Sequence, residues 1–387
     1  MNQVKKLFFI LLVVILFLDS GNGIGLRNWF LLAFFIFGVI NLICCKHQSV
    51  TLYVLALSYG IVALGLLSGF VNGVNVQQVM VWCSFIAVIP FFYAALLSYQ
   101  RDELIDAIIA SIFVVLVVVL GVHFLLLLDF NSFNEKLLVK LNELPGFFYK
   151  KSFFWGEGYV VYFQSTLLLS VFSIFLYLNG RKLGWWLLCM SLALSTSRFG
   201  VLVSIVVPIL LSLIGVKNIS KMMKDIFLPS GMLLLFSYYI AYLFLRDGFS
   251  GDAIVGMGSF EARVAHLIST IESIDVYNFM LGQGPGSFFY TLRIDGYVDN
   301  SELTYLEFFR KFGLVGYWLF LYCISVVLNQ NYKHSNHECN VYLLVIFFVA
   351  LSNPVLTSII FSFFVALSLR LNSKEVYFER SRYNCSL

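Results

Sequence analysis

Residues 104–128 read LIDAIIASIFVVLVVVLGVHFLLLL, with one charge, Asp106, near the start and one histidine, His123, near the end. A helix needs ~20 apolar residues to cross the hydrocarbon of a bilayer. This stretch is long enough, and it is apolar on every face rather than along one stripe. Such a segment has to meet lipid or other apolar helices, because water would leave it nothing to bury against.

The same pattern recurs along the chain. Apolar runs predict spans near 7–25, 29–45, 50–70, 76–97, 104–128, 159–178, 183–197, 199–216, 226–245 and 312–328. Residues 341–369 are long for one helix, and Asn353-Pro354 in the middle would break or kink it. Two short helices folded as a hairpin give twelve spans; a single helix gives eleven. The expected fold is therefore an all-α polytopic membrane protein, one integral membrane domain over residues 1–387 with about 12 transmembrane helices.

Composition agrees. Of 387 residues, 60% are hydrophobic and 12% charged, against roughly 25% charged in soluble proteins. The net charge of +4 is spread too thinly for a nucleic-acid surface. The seven cysteines show no C-x-x-C pair and no metal-ligand spacing, so neither disulfides nor a metal site is expected, and no cofactor is implied. Lys5 and Lys6 followed by Leu7 to Leu18 resemble the start of a signal peptide. No small-residue cleavage site follows Asp19, and the segment is expected to remain as the first span.

Lysine and arginine then set the orientation. With the N terminus in the cytoplasm, Lys46, Arg101, Arg181, Lys182, Lys217, Lys221 and Lys224 all fall inside, while the short outer loops around Gly21 and Asn72 carry only Arg27. Arg370, Lys374, Arg380 and Arg382 place the C-terminal tail inside too, which favours twelve spans. Two longer loops, 129–158 and 246–311, face outward.

The polar candidates gather in those loops and at outer span ends. Gly282-Gln283-Gly284-Pro285-Gly286 places glycines at alternate positions, where exposed N–H groups can hold an anion; a plain tight turn after an amphipathic helix (residues 261–274) fits equally. In Asp299-Asn300-Ser301-Glu302-Leu303-Thr304-Tyr305, one of the first three residues is expected to cap a helix running into the next span. Glu302 and Tyr305 would share a face of it, with Glu302 either functional or simply an acid in the first helical turn. Ser197-Arg198 joins two spans at the outer face, where an arginine snorkels or finds an anion. Arg263 lies on the amphipathic stretch, where a solvated surface arginine is the plainer reading. Glu157 and Arg293 are secondary candidates. His123 reads as a satisfied interior group.

In this order the pieces resemble the bacterial O-antigen polymerase and O-antigen ligase superfamily. The resemblance rests on the many spans with a large outward loop late in the chain, on Ser197-Arg198 and Arg263, on the Leu281–Phe288 turn (LGQGPGSF), and on a closing helix with Gly313 and Gly316. It covers residues 150 to 370. Ligases of the superfamily carry a histidine eleven residues before the first glycine of the closing G-x-x-G; that position here is Glu302, which looks more like the polymerases.

The resemblance implies a glycosyltransferase in the bacterial inner membrane, multi-pass, with both termini cytoplasmic. It would transfer a growing glycan from undecaprenyl pyrophosphate to a hydroxyl of a new lipid-linked repeat unit at the periplasmic face, in lipopolysaccharide or other surface-polysaccharide biosynthesis. Implied roles are pyrophosphate binding for Arg198, Arg263, Gly284 and Gly286, general base for Glu302, and orientation by Tyr305. Membrane lipid and a chain-length regulator protein are the implied partners. The alternatives are an O-antigen ligase and a lipid-linked sugar flippase or transporter; the latter usually shows repeated halves and midplane charges, whereas here polar residues gather on one side.

Overall fold

The computed structural model describes residues 3–18, 26–44, 49–127, 148–153, 156–161, 169–195, 198–246, 259–291, 296–301, 303–351 and 359–372. Among these the chain is mostly α-helical. The first half holds α1 (Gln3–Leu18), α2 (Leu26–Cys44), α3 (Ser49–Val71), α4 (Val76–Ala87), α5 (Ile89–Leu96) and α6 (Arg101–Leu127). The second half holds α7 (Leu169–Leu178), α8 (Lys182–Leu194), α9 (Arg198–Ile214), α10 (Val216–Leu245), α11 (Ser259–Glu272), α12 (Thr304–Lys333), α13 (His337–Ala350) and α14 (Ile359–Asn372).

Among the described residues, five helical segments are long and apolar enough to cross a membrane: Leu52–Val71, Val76–Leu96, Arg101–Phe124, Val216–Leu245 and Thr304–Lys333. Several shorter apolar helices accompany them, and the whole is consistent with an all-α protein embedded in a membrane. The apolar run over 104–128 forms most of α6. The expected hairpin over 341–369 appears as two helices, α13 and α14, which pack on each other.

Three details differ from the sequence expectation. The span expected over 76–97 is broken at Val88 into α4 and α5, with Pro90 in the first turn of α5, where proline's missing N–H does no harm. The span expected from residue 226 belongs to a longer helix that starts at Val216 and carries its basic residues on its first turns. The span expected from residue 159 overlaps strand β2: β1 (Phe148–Phe153) and β2 (Gly156–Val161) form an antiparallel hairpin, in which Glu157 pairs with Ser152. A second hairpin, β3 (Phe289–Thr291) with β4 (Gly296–Val298), lies in the large loop.

Helix α12 is the hub, packing on α3, α10, α11, α13 and α14. Its interior face is aromatic, with Phe308 against Phe312 and Phe320 at ring distances of 4.5 Å each. Within a bilayer, close packing of this kind and interhelical hydrogen bonds hold helices together in place of the hydrophobic effect. At the far end of α12 the hydrogen bonds form a closed network. Asn331 donates to Asn340 (2.7 Å) and Ser368 (2.9 Å), and Asn340 donates to Ser220 (2.8 Å). Nearby, Arg370 is buried and donates to the carbonyls of Leu96 (3.1 Å) and Tyr99 (2.5 Å). Expected as a charge of the C-terminal tail, it instead closes the carbonyl end of α5, a task suited to a basic side chain.

Candidate functional site

The glycine turn of the large loop and the G-x-x-G of the closing helix, far apart in sequence, form one structural unit. Gly313 has φ 66° and ψ −174°, so α12 breaks there into two pieces. A break strands carbonyls on one side and N–H groups on the other. The turn and the two residues before it supply both sets of partners. The N–H groups of Gln283 and Gly284 donate to the carbonyls of Arg310 (2.8 Å) and Lys311 (3.1 Å). On the other side, the N–H groups of Leu314 and Val315 donate to the carbonyls of Phe279 (2.9 Å) and Met280 (3.2 Å). The turn is pinned from behind by α3: the Ser68 hydroxyl (2.8 Å) and the Asn72 amide (3.1 Å) both donate to the Gly282 carbonyl.

Gly284 and Gly286 are buried in this arrangement, with φ of +91° and +84°. A Cβ on Gly284 would lie 2.7 Å from the Gly69 α-carbon, and one on Gly286 2.8 Å from the Gln78 side chain. In the observed conformation, therefore, their lack of a side chain serves close packing, and the Gly284 N–H is directed to the helix rather than to an anion.

Against the turn lies a cluster of three charges on one face of α12. Glu307, Arg310 and Lys311 are each at most 1% exposed. Arg310 holds Glu307 through Nε–Oε2 (3.0 Å) and Nη2–Oε1 (2.7 Å). Its other donors reach the Gln283 side-chain oxygen (2.6 Å), the Ser287 hydroxyl (2.9 Å) and the Ser287 carbonyl (3.1 Å). A guanidinium has five N–H donors, so every one is engaged by protein. Lys311 Nζ lies 3.0 Å from Glu307 Oε1 and donates to the Asp299 carbonyl (2.6 Å), with the Trp82 ring centroid 2.8 Å away. The Arg310 guanidinium stands 4.6 Å over the Phe289 ring. One carboxylate faces two cations, and backbone carbonyls and ring faces share the remaining positive charge.

The residues singled out from sequence are distributed around this unit. Tyr305 is buried in the bundle, and its hydroxyl donates to the Phe347 carbonyl on α13 (3.0 Å). Arg263 is half-buried on α11. That helix packs on β3, with His266 edge-on to Phe289 at 6.5 Å, so it adjoins the ring beneath Arg310. Arg198 opens α9, at the helix N-terminus; only its backbone is among the described residues, as is that of Glu157 on β2. Glu302 and Arg293 lie outside the described residues. The described helix starts at Thr304, with Glu307 as the acid of its first turn; the expected pairing of Glu302 with Tyr305 lies outside the described residues. Ser301 stops short of capping the helix and accepts the Leu303 N–H instead (3.2 Å).

On its opposite face α12 borders an apolar cleft of about 850 Å³, where Leu306 and Phe309 face Met232, Phe236 and Tyr239 of α10. The cleft thus opens between two of the five helices able to cross a membrane.

No family model, no curated protein and no solved structure matches this chain.

Sequence reasoning passed over Glu307, Arg310 and Lys311. The signal was present: amid Leu306, Phe308, Phe309 and Phe312, charges at i, i+3 and i+4 fall on one face, and opposite signs at that spacing in an apolar setting indicate a buried pair. His123, read as a satisfied interior group, is buried and bonds the Val119 carbonyl through Nδ1 (2.8 Å).

Proposed function

We propose that this protein is a membrane-embedded glycosyltransferase that polymerises undecaprenyl-pyrophosphate-linked repeat units into O-antigen or a related surface polysaccharide at the periplasmic face of the inner membrane. One observation carries the proposal. The Leu281–Phe288 turn is built into the break of α12 at Gly313, so two of the motifs behind the family resemblance are one physical unit. The apolar cleft beside α12 adds support, since a donor with a long hydrocarbon tail needs lateral access from the bilayer.

In the proposed reaction a sugar hydroxyl of the incoming repeat attacks the anomeric carbon of the donor glycan. Glu302 accepts the hydroxyl proton, the bond from that carbon to the pyrophosphate oxygen breaks, and undecaprenyl pyrophosphate departs as the anion. Pyrophosphate leaves readily, so the protein's main task is to place fixed positive charge where negative charge develops. Arg198 and Arg263 have that role, because the planar fork of arginine matches phosphate oxygens. Arg310 does not compete for it, all five of its donors being engaged internally.

Twelve passes with both termini in the cytoplasm suit this assignment: counting α4 and α5 as one broken span and setting α11 aside as a loop helix leaves twelve apolar segments among the described residues. The test is the surface-polysaccharide profile of cells lacking the gene, restored with wild-type, Arg198→Ala or Glu302→Gln protein. A single-repeat band in the deletion and both variants supports a polymerase using those residues. Long polymer that is made but not attached to its lipid anchor indicates a ligase, and loss of even the single repeat indicates a flippase or transporter.

A further inference from the structure

The segment that joins α11 to the glycine turn, Ile274-Asp275-Val276-Tyr277-Asn278-Phe279-Met280, exposes most of its apolar residues. Val276 is 88% exposed and Tyr277 94%. The tip that carries them is held from within. The Asp275 carboxylate accepts the Asn278 N–H (2.8 Å) and side-chain amide (3.2 Å), and the Asn278 carbonyl accepts the Gly282 N–H (2.7 Å). Asp and Asn build a turn by bonding its backbone; here they leave a valine and a tyrosine at its point. A contiguous exposed apolar patch marks a surface that meets a protein or a membrane.

Its level along the neighbouring spans favours the membrane. Lys224 of α10 stands over the Tyr332 ring of α12 at 4.8 Å, which puts the basic ends of the two helices together. At ~1.5 Å per residue, α10 rises roughly 27 Å from Lys224 to Tyr242, and α12 runs the same distance from Tyr332 back to Leu314, close to the ~30 Å of bilayer hydrocarbon. Both far points are tied to the segment. The Tyr242 hydroxyl donates to Glu272, just before it (3.5 Å), and the Leu314 and Val315 N–H groups hold the carbonyls of Phe279 (2.9 Å) and Met280 (3.2 Å). Tyr239 and Tyr242, with rings 6.2 Å apart, belong to the aromatic belt that settles at lipid headgroups.

We propose that residues 275–280 form a membrane-inserted lip, with Val276 and Tyr277 among the phospholipid headgroups of the leaflet opposite the basic helix ends. The apolar cleft between α10 and α12 lies directly behind it, since Val276, Phe279 and Met280 line the same cavity as Phe236 and Leu306. The lip closes the cleft toward water and leaves it open to the hydrocarbon along α10, only 17% of whose most apolar stretch is buried against protein. Among the described residues Asp275 is the single charge of the lining, and no cation accompanies it there. The cleft therefore takes an acyl chain of the surrounding phospholipid rather than its phosphate. This inference needs the membrane embedding alone and stands apart from the polymerase reading.

The experiment replaces Tyr277, Phe279 or Leu233 of the full chain, one at a time, with the photoreactive p-benzoylphenylalanine, in nanodiscs made of palmitoyl-oleoyl phosphatidylcholine alone. Leu233, 63% exposed on α10, is the reference for a side chain facing lipid. Tyr277 and Phe279 are aromatic and exposed, so the larger ring fits without repacking the bundle. After irradiation, the intact mass is expected to rise by one phospholipid at positions 277 and 279, in yield comparable with position 233, and fragmentation is expected to place the link at 279 on an acyl chain. A phospholipid adduct at 233 but none at 277 means that the tip stands in water, and overturns the proposal. A cross-linked dimer at 277 in place of the adduct assigns the tip to a second copy of the chain and overturns it as well. An adduct at 277 with none at 279 overturns the assignment of the cleft to an acyl chain.

Discussion

Gly282 and Gly313 meet backbone to backbone: a Cβ on Gly282 would lie 2.5 Å from the Gly313 nitrogen, and one on Gly313 would collide with the Met280 carbonyl and the Gly282 nitrogen. Both have positive φ, +82° and +66°. Contact and conformation select glycine independently at each position, and the contact is what lets the turn donate to one half of α12 and accept from the other.

Gly313→Ala or Gly282→Ala should therefore cost more than backbone conformation alone. The left-handed conformation costs a non-glycine residue about 1–2 kcal/mol, and here the new carbon also meets unyielding backbone. Gly73 is the internal control, with φ +66° and nothing within 4 Å of where a Cβ would stand. Thermal unfolding in detergent is expected to show a small shift for Gly73→Ala and a much larger one, with loss of protein from the membrane, for the other two. Equal shifts for all three would contradict the tight contact.

Glu307→Gln leaves two buried cations without their carboxylate. Removing one partner of a buried ion pair costs about 3–5 kcal/mol, so the unfolding midpoint of the purified protein should fall sharply. A midpoint at the wild-type value would mean that the cluster is open to solvent.

Arg310→Lys keeps the charge but replaces five forked donors with three on a single nitrogen. The contacts to Ser287 and Gln283 cannot all survive alongside the pair to Glu307. Each hydrogen bond to a charged group contributes about 1.5–3 kcal/mol, so loss of one or two should be measurable by unfolding. Limited proteolysis should also show faster cleavage in the β3–β4 hairpin; an unchanged cleavage rate would contradict the anchoring role of Arg310.

Tyr305→Phe removes one hydroxyl that donates to the Phe347 carbonyl inside the bundle. The expected loss is about 0.5–1.5 kcal/mol of stability, with polymer length in complemented cells unchanged. Shortened polymer at normal protein level would return Tyr305 to the chemistry beside Glu302.

The membrane architecture was legible because a bilayer imposes a one-dimensional rule: residues 104–127 had to be a helix whatever they packed against; Asn353-Pro354, expected to interrupt the last apolar region, lie outside the described residues. The break at Val88 was not legible, since Pro90 alone does not say whether a helix bends or restarts. The β1–β2 hairpin was hidden for a related reason: the end of β2, Tyr159-Val160-Val161, continues into the apolar run read as the next span. In the site, the glycines of the turn and of G-x-x-G were visible as motifs, but their mutual contact depends on tertiary placement of α3 and α12. Glu307, Arg310 and Lys311 were visible only as charges; burial, which gives them their role, comes from Trp82, Gln283 and Phe289 in distant segments.

Reconstitution puts polymerase activity to trial without the rest of the cell. Purified full-length protein in nanodiscs is given undecaprenyl-pyrophosphate-linked repeat units as the sole glycan, and the lipid-linked products are resolved by length. A polymerase with Glu302 as its base yields a ladder of two and more repeats on undecaprenyl pyrophosphate, with release of undecaprenyl pyrophosphate, and the ladder is lost in Glu302→Gln. Repeat units that stay single with the wild-type protein, but move to a lipid A core acceptor when one is added, would contradict that assignment.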